Sequence, residues 1–302
     1  MKKRSVVIFI ILAGIALFGL FLLFILAAAF SGGGLPAFRG HEPVAIVEIT
    51  GPIFESKEIL KDLKEYQDSS VVQAVVLRLD SPGGAVGPSQ EIYEQVLELK
   101  KHKKVVASMG AVAASGAYYI ACASDHIVAN PGTITGSIGV IMEMFGLKEL
   151  AKTLKIEPRV IKSGKFKNTG SPFKELTERD RQYLQHLTDD MYEQFVEAVA
   201  VNRNIPIAEM HHLAEGRVYT GRQALELKLV DELGNYYKAI SAAKKLAGLP
   251  ESTKVLWPKE PTAFEEFFGN QKSELTHLIV ERFLLSHSLP GWKMKNLSKA
   301  RY

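Results

Sequence analysis

The chain has 302 residues, of which 47% are hydrophobic and 23% are charged, a balance typical of a globular protein with a sizeable core. The net charge of +4 is modest, and no arginine-rich stripe or zinc-finger spacing favours nucleic-acid binding. The single cysteine, Cys122, excludes an intramolecular disulfide. Because it lies in an apolar run, we expect it to be a small buried hydrophobe and not a nucleophile.

Residues 5–30 form an uncharged stretch made mainly of Val, Ile, Leu, Phe and Ala. As a helix it would span roughly 39 Å, more than the ~30 Å hydrocarbon core of a bilayer. The basic residues at 2–4 predict a cytoplasmic N-terminus, so the rest of this single-pass protein of the cell membrane would be extracytoplasmic. The alternative is a cleaved signal peptide ending near Ala27–Ala29. An apolar region of that kind usually has only about 7–15 residues, so an uncleaved anchor is favoured.

A glycine-rich linker at 31–42 precedes a domain that we place at 43–250. Three apolar runs in its first half predict strands, and the segments between them have helical spacing. The predicted strands are Val44–Ile49, Val71–Leu79 and Lys104–Met109, and the predicted helices are Ser56–Tyr66, Ser89–Leu99 and a small-residue helix from about Ala113.

In the second half we predict short strands at His126–Ala129, Ser137–Met142 and Pro158–Ile161. A long helix is predicted at Thr177–Asn202, with Thr177 as its N-cap and Asp180 in its first turn. We predict one or two more helices within residues 217–244, and a helical tail at 251–302 with a periodic apolar stretch at 264–285. Alternating helices and apolar strands predict an α/β fold with a mostly parallel sheet covered on both faces.

Ser115 is the first candidate for chemistry, because it follows a predicted strand and opens a helix rich in small residues. Such a junction offers unpaired backbone N–H groups and the positive end of a helix dipole, which suit a nucleophile beside an oxyanion hole. A tightly packed helix with a merely small serine explains the pattern equally well. The turn that contains Gly83 and Gly84 offers a second N–H donor, although paired glycines commonly mean only a turn.

The base that would activate Ser115 is not obvious from the sequence. No histidine forms a convincing Ser/His/Asp set or has metal-ligand spacing, and His126, in a short predicted strand, is expected to be structural. Two lysines, Lys165 and Lys167, follow a predicted strand beside Gly164. A free lysine, with a pKa of about 10.4, is a poor base unless burial lowers that value, and two solvated loop lysines are the plainer interpretation.

Six short motifs, taken together, resemble the signal peptide peptidase A family, also called protease IV, a branch of the Clp-protease/crotonase superfamily. The resemblance extends over residues 44–250, and the motifs occur in the family's order. They are Leu-Asp-Ser-Pro-Gly-Gly at 79–84, Ala-Ala-Ser-Gly-Ala-Tyr-Tyr-Ile at 113–120, Thr-Gly-Ser-Ile-Gly-Val at 135–140, Ser-Gly-Lys-Phe-Lys at 163–167, Gly-Arg-Val-Tyr-Thr-Gly at 216–221 and Leu-Val-Asp-Glu-Leu-Gly at 229–234.

The resemblance implies a crotonase/Clp-protease-like fold and a serine endopeptidase with a Ser-Lys dyad. It implies that Ser115 is the nucleophile, Lys167 the general base and Ser137 the residue that orients the lysine amine. The oxyanion hole would be lined by these backbone positions: Gly83, Gly84 and Gly116.

The resemblance further implies substrates that are remnant signal peptides, a homo-oligomeric ring, and neither metal nor cofactor. Single-length members of the family are expected to complete each site with a lysine of the neighbouring subunit. Two other functions stay open at this point: a non-enzymatic membrane scaffold on a protease fold, and a crotonase-like acyl-CoA enzyme, which needs neither an anchor nor a Ser-Lys pair.

Overall fold

The computed structural model describes residues 18–19 and 43–258. The predicted linker, all but two residues of the predicted anchor, and the tail from residue 259 lie outside this part of the chain. Within the part described, no helix has both the length and the apolar character needed to cross a bilayer.

The described residues form one sheet of eight strands. The strands are β1 (Val44–Thr50), β2 (Ala74–Ser81), β3 (Lys104–Ala114), β4 (His126–Ala129), β5 (Ile134–Gly136), β6 (Val218–Thr220), β7 (Glu232–Leu233) and β8 (Val255–Leu256). The main path runs β6-β5-β3-β2-β1-β8, and β4 and β7 branch from β3. All pairs are parallel except β5–β6, which confirms the predicted α/β fold with a mainly parallel sheet.

Eight helices connect or cover these strands in residues 43–258. They are α1 (Lys57–Asp68), α2 (Val86–Lys100), α3 (Gly116–Cys122), α4 (Lys148–Thr153), α5 (Glu178–Arg203), α6 (Ile207–Leu213), α7 (Gly221–Glu226) and α8 (Tyr236–Leu246). Helix α5 begins where the sequence predicts, because the Thr177 hydroxyl accepts a hydrogen bond from the Asp180 N–H while the Asp180 carboxylate accepts one from the Thr177 N–H.

Successive side chains of the central strands point to opposite faces of the sheet, as the period of two residues in a β-strand requires, and each face packs against its own apolar layer. In β2, Val75, Leu77 and Leu79 face a large core that also contains apolar residues of α1, α2, α3 and α5. Ala74 and Val76 face a smaller core completed by α8. The central strands are therefore buried on both faces, which explains their nearly continuous apolar sequences.

Three predicted details are wrong. No strand forms at Ser137–Met142 or Pro158–Ile161; residues 137–147 have no regular structure, and β5 lies just before them. The small-residue helix begins at Gly116 and not near Ala113, because β3 continues to Ala114 and pairs there with β5. Neighbouring strands decide these boundaries, and a single segment does not reveal its neighbours. Beyond residue 250, β8 adds a short parallel strand beside β1.

Candidate active site

Ser115 occupies the single residue between β3 and α3. Its φ of 53° and ψ of −123° are rare for a residue with a side chain. Two backbone hydrogen bonds hold it there: its N–H donates to Gly136 O at 2.9 Å, and its carbonyl accepts from Tyr119 N at 2.9 Å. Strained conformations held by their surroundings cluster at functional sites, so this geometry favours the functional interpretation of Ser115.

Two glycine backbones pack against the Ser115 junction so closely that no side chain would fit. A Cβ atom on Gly83 would lie 2.6 Å from Gly116 N and 2.8 Å from Ser115 Cβ. One on Gly116 would lie 2.3 Å from Ser89 Oγ and 3.3 Å from Gly84 N. The turn after β2 and the start of α3 therefore present their backbones to one another beside Ser115.

The N–H groups of Gly84 and Gly116 are the ones available to a substrate oxygen. Gly116 is the first residue of α3, so its N–H has no acceptor within the helix. Gly84 forms an isolated parallel β-bridge with Ile53. The two hydrogen bonds of this bridge come from the residues on either side of Gly84: Ile53 N donates to Gly83 O, and Ala85 N donates to Ile53 O. Along an extended backbone the intervening N–H points the opposite way, toward α3. The Gly83 N–H, in contrast, already donates to Ser81 Oγ at 3.1 Å.

Asp80 shapes this region, although it was not among the candidate residues identified from the sequence. Between Leu79 and Ser81 the pairing of β2 with β3 shifts register, so that β3 carries extra residues there. The Asp80 carboxylate fills the irregularity by accepting a hydrogen bond from Val112 N at 3.1 Å. It lies over Gly110, where a Cβ atom would be 2.8 Å from Asp80 Cγ. An acid at a strand end just before Ser-Pro-Gly-Gly was the available sequence clue.

Ser137 lies on the other side of Ser115, directly after β5. Buried threonine hydroxyls bind β5 and the turn before it to β3: Thr133 Oγ1 donates to Gly110 O and Thr135 Oγ1 to Ala113 O, both at 2.6 Å. Ser137 itself has a φ of 50° and donates its N–H to Arg217 O at 2.7 Å. These contacts fix Ser137 relative to the end of β3.

Ser115 and Ser137 line the same open cleft, of about 520 Å³, together with Gly84 and Gly139. A smaller, mainly apolar cavity adjoins Ser115 and is lined by these side chains: Val86, Tyr119, Met191 and Phe195. An extended peptide could lie in the open cleft and place one small apolar side chain in the adjoining cavity. The structure therefore brings together the predicted nucleophile, the predicted orienting serine and the predicted oxyanion donors.

Lys165 and Lys167 are exposed, in a turn at residues 163–170. Neither lysine is among the described residues that line the two cavities at Ser115. The turn contacts the start of α5, where the Phe166 ring stacks on Tyr183. Met191, which lines the smaller cavity, is eight residues further along α5, or about 12 Å. Within one chain, the structure does not bring the two lysines into the cleft that contains Ser115.

Cys122 and His126 lie in surroundings that indicate a structural role, as predicted. Cys122 is buried in α3, and burial raises the pKa of its thiol to about 12, so the reactive thiolate does not form near neutral pH. His126 lies in β4 with Nε2 3.3 Å from Glu232 Oε2. His126 lines neither the open cleft nor the smaller cavity at Ser115. The described residues that line these two spaces include no histidine.

Comparison with known proteins identifies the chain's relatives. The model of peptidase family S49 matches residues 98–250. A protein of Synechocystis sp., provisionally named a protease, is 46% identical over 69% of this chain and 76% of its own length. A provisionally named protease of Methanocaldococcus jannaschii is 33% identical over 82% of this chain and 84% of its own length. A protein of Enterococcus faecium, provisionally named signal peptide peptidase SppA, is 34% identical over 73% of this chain and 65% of its own length.

The family match covers β3 to β7, and with them the Ser115 junction and the lysine-bearing turn. The chain belongs to peptidase family S49 and is a serine peptidase.

Proposed function

We propose that this protein is a membrane-anchored endopeptidase in which Ser115 and Lys167 form the catalytic dyad. The observation that carries the proposal is the position of Ser115, in a strained conformation between two backbone N–H groups, those of Gly84 and Gly116. Such preorganised donors stabilise the negative charge that develops on a peptide carbonyl oxygen under attack.

Catalysis would proceed by acyl transfer. The neutral amine of Lys167 accepts the Ser115 hydroxyl proton as the serine oxygen attacks the carbonyl carbon. The C–N bond then breaks, and the leaving amine takes the proton from the lysine. A water molecule, deprotonated in the same way, hydrolyses the resulting ester and restores Ser115. Ser137, which shares the cleft, would orient the lysine amine by a hydrogen bond.

The position of Lys167 supports a site shared between subunits. The lysine is exposed, and its turn contacts α5 at Tyr183, about 12 Å along the helix from Met191, which lines the smaller cavity at Ser115. The surrounding segment is also unusually apolar for a surface, with thirteen large exposed apolar side chains between Ile141 and Leu176. A second copy of the chain covering this segment would bury those side chains and bring Lys167 to a neighbouring Ser115, as in a homo-oligomeric ring.

We further propose that the substrates are remnant signal peptides and that the domain is extracytoplasmic. The relative from Enterococcus faecium is provisionally named a signal peptide peptidase, and residues 5–30 are long and apolar enough to anchor the chain where such peptides remain after secretion. Mass spectrometry of the membrane-extracted protein should find residues 1–30 present. A mature chain that begins near residue 30 would contradict the anchor, and cytoplasmic accessibility of the domain would contradict the topology.

Peptide cleavage by full-length variants tests the dyad. Ser115→Ala should abolish cleavage without unfolding the protein, and both Lys167→Ala and Lys167→Arg should be inactive because arginine is not a neutral base. Lys165→Ala is the matched control and should keep activity. Cleavage by Ser115→Ala within about tenfold of wild type (~1.4 kcal/mol in barrier) would exclude Ser115 as the nucleophile. An inactive Lys165→Ala beside an active Lys167→Ala would reassign the base.

Co-expression of the two inactive variants tests whether the site is shared. If Lys167 acts on a neighbouring Ser115, mixed rings of Ser115→Ala and Lys167→Ala subunits contain some interfaces with both residues intact. Random mixing makes about a quarter of the interfaces productive. No recovery of cleavage, in rings shown by native mass spectrometry to contain both variants, would mean that each subunit builds its own dyad.

A further inference from the structure

The first two turns of α5 contact the Lys167 turn on both sides of the lysine. Before it, the Phe166 ring stacks on the Tyr183 ring, with centroids 4.8 Å apart and an interplanar angle of 28°. The Arg179 guanidinium lies over the same Phe166 ring, 5.2 Å from its centroid. After the lysine, Thr169 Oγ1 donates to Asp180 Oδ1 at 2.9 Å. Lys167 thus lies between two attachments to one helix.

Asp180 is the centre of the second attachment, and its side chain has no solvent exposure. Besides Thr169, it binds the Lys174 ammonium and accepts from Thr177 Oγ1 at 2.7 Å. The hydrogen bond from Lys174, followed by that from Thr177, holds the pKa of the Asp180 carboxyl well below its usual range. Asp180 is therefore negatively charged near neutral pH, and it joins the turn, the following loop and the helix.

A helix cap alone does not require these additional contacts. The reciprocal bonds of Thr177 with Asp180 already satisfy the start of α5. The stacked Phe166 and Tyr183 rings also contribute little to a buried core, since Phe166 is 39% exposed and Tyr183 is 41% exposed. Between the attachments, the turn is held mainly by a long Lys167 N to Gly164 O contact of 3.4 Å and a Thr169 N to Phe166 O bond of 2.9 Å. The contacts with α5 thus determine where the turn lies.

We propose that Tyr183 and Asp180 are positioning residues for the catalytic base: they fix the Lys167 turn on α5 so that the lysine amine projects at a set position and direction. The inference rests on the proposed function, in which Lys167 is the base, and holds whichever subunit supplies Ser115. Because α5 also contributes Met191 and Phe195 to the cavity at Ser115, the same rigid helix carries the lysine turn at one end and lines a nucleophile site further along.

Two pairs of variants in the full-length protein test this proposal. Tyr183→Ala removes the stacked ring whereas Tyr183→Phe keeps it; Thr169→Val removes the donor to Asp180 whereas Thr169→Ser keeps it. Misplacing a catalytic group by about 1 Å can cost about 10²-fold in rate. We expect Tyr183→Ala and Thr169→Val to lower kcat by about 10- to 100-fold with KM within about threefold, and the conservative partners to restore kcat.

Glu178→Gln is the control for charge loss at the start of α5, because Glu178 is exposed and bonds only along its own helix, to Gln182 and Arg181. It should leave kcat unchanged. Hydrogen exchange of peptides that cover residues 163–170 should rise in Tyr183→Ala and Thr169→Val and stay unchanged in Glu178→Gln. This measurement tests the attachment directly, even in a variant whose activity is too low to measure.

Lys167→Ala in the same assay separates the two hypotheses. If Lys167→Ala is inactive while Tyr183→Ala and Thr169→Val keep wild-type kcat, the base assignment stands and the positioning proposal is overturned. If Lys167→Ala retains cleavage, the base assignment fails and the positioning role fails with it. A fall in kcat without increased exchange at 163–170, or an equal fall in Tyr183→Phe, would also overturn the proposal.

Discussion

Ser115 combines the proposed role of nucleophile with an unfavourable backbone conformation. A non-glycine residue in a sparsely populated region costs about 1–3 kcal/mol, and the bonds to Gly136 O and Tyr119 N hold it there. The strain and the proposed chemistry have the same origin, because the sharp change from β3 to α3 exposes both the hydroxyl and the Gly116 N–H. The protein should therefore gain stability when the serine is replaced by a residue that fits this backbone.

Ser115→Gly should be more stable than Ser115→Ala by about 1 kcal/mol, since glycine adopts this conformation without a Cβ penalty. Urea denaturation of the full-length variants measures the difference. The control is Ala114→Gly, one residue earlier in regular strand geometry, which should destabilise the protein by at least about 0.5–1 kcal/mol. Equal stabilities of Ser115→Gly and Ser115→Ala would show that the conformation is unstrained.

The lowered pKa of Asp180 predicts a pH-dependent contribution to stability. Its carboxylate stabilises the folded state at pH values above about 3.9, the pKa of an ordinary aspartic acid. This contribution is lost as the pH falls below that value and through the lower pKa of the folded state. Asp180→Asn should therefore be less stable than wild type by a constant amount between pH 7 and pH 5, and by less as the pH falls below 4.

Urea denaturation at pH 7, 5 and 3.5 tests this dependence, with Glu178→Gln as the control. Glu178 belongs to the same helical turn but is exposed, so its replacement should change stability little at each pH. A gap between wild type and Asp180→Asn that widens below pH 4 would contradict the assigned direction of the Asp180 pKa shift.

At the scale of elements, the site depends on an irregular strand pair. Strands β2 and β3 pair in regular parallel register from Ala74 to Leu79, and the register then shifts at Asp80. β-bulges bend a strand and redirect the side chains that follow. Here the irregularity lies just before the residues that form the site: Gly83 and Gly84 after β2, and Ser115 after β3. The Asp80 carboxylate and the bare Gly110 backbone are the two features that allow it.

Gly110→Ala should lower both stability and activity, because the new Cβ would lie 2.8 Å from Asp80 Cγ between two packed strands. Forcing an extra methyl group into a packed interior typically costs about 1–3 kcal/mol. Thermal unfolding and peptide cleavage measure the two effects. Gly132→Ala is the matched control, since a Cβ atom there meets no atom within 4 Å; a Gly110→Ala protein that behaves like it would show that the strand pair adjusts freely.

At the scale of the whole molecule, the exposed apolar side chains of residues 43–258 are concentrated in one segment. The helices on both faces of the sheet bury their apolar sides, whereas residues 141–176 expose theirs, including Ile141 at 88%, Phe145 at 72% and a fully exposed Ile161. Patches of this kind on a soluble surface mark interaction sites. The same segment carries Lys167, so an interface there would also decide where the proposed base is used.

Ile141→Asp and Ile161→Asp should weaken self-association of the full-length protein. Each buried isoleucine is worth about 1.5–3 kcal/mol, so the association constant should fall about tenfold or more. Native mass spectrometry over a range of concentrations measures it. Val201→Asp is the control, because Val201 is 74% exposed but lies near the far end of α5. Oligomers unaffected by the isoleucine changes would place the interface elsewhere.

Local patterns in the sequence determined a large part of this protein. Apolar runs in β1, β2 and the first half of β3, helical spacing in α1 and α2, and the capping residues of α5 are all short-range signals, and the structure confirms each. The candidate residues Ser115, Gly84 and Gly116 were also identified from the sequence, since a strand-to-helix junction and a glycine turn are visible as local motifs.

Only the tertiary structure decided which of these residues meet. The end of β3 at Ala114, the absence of strands at 137–142 and 158–161, and the role of Asp80 all depend on neighbouring strands whose register a single segment does not specify. The sequence does not distinguish Gly83 from Gly84 as an oxyanion donor. The structure does, because the Gly83 N–H donates to the Ser81 hydroxyl. Likewise, the exposure of Lys167 and its attachment to α5 arise from contacts between segments more than ten residues apart, which spacing along the chain does not encode.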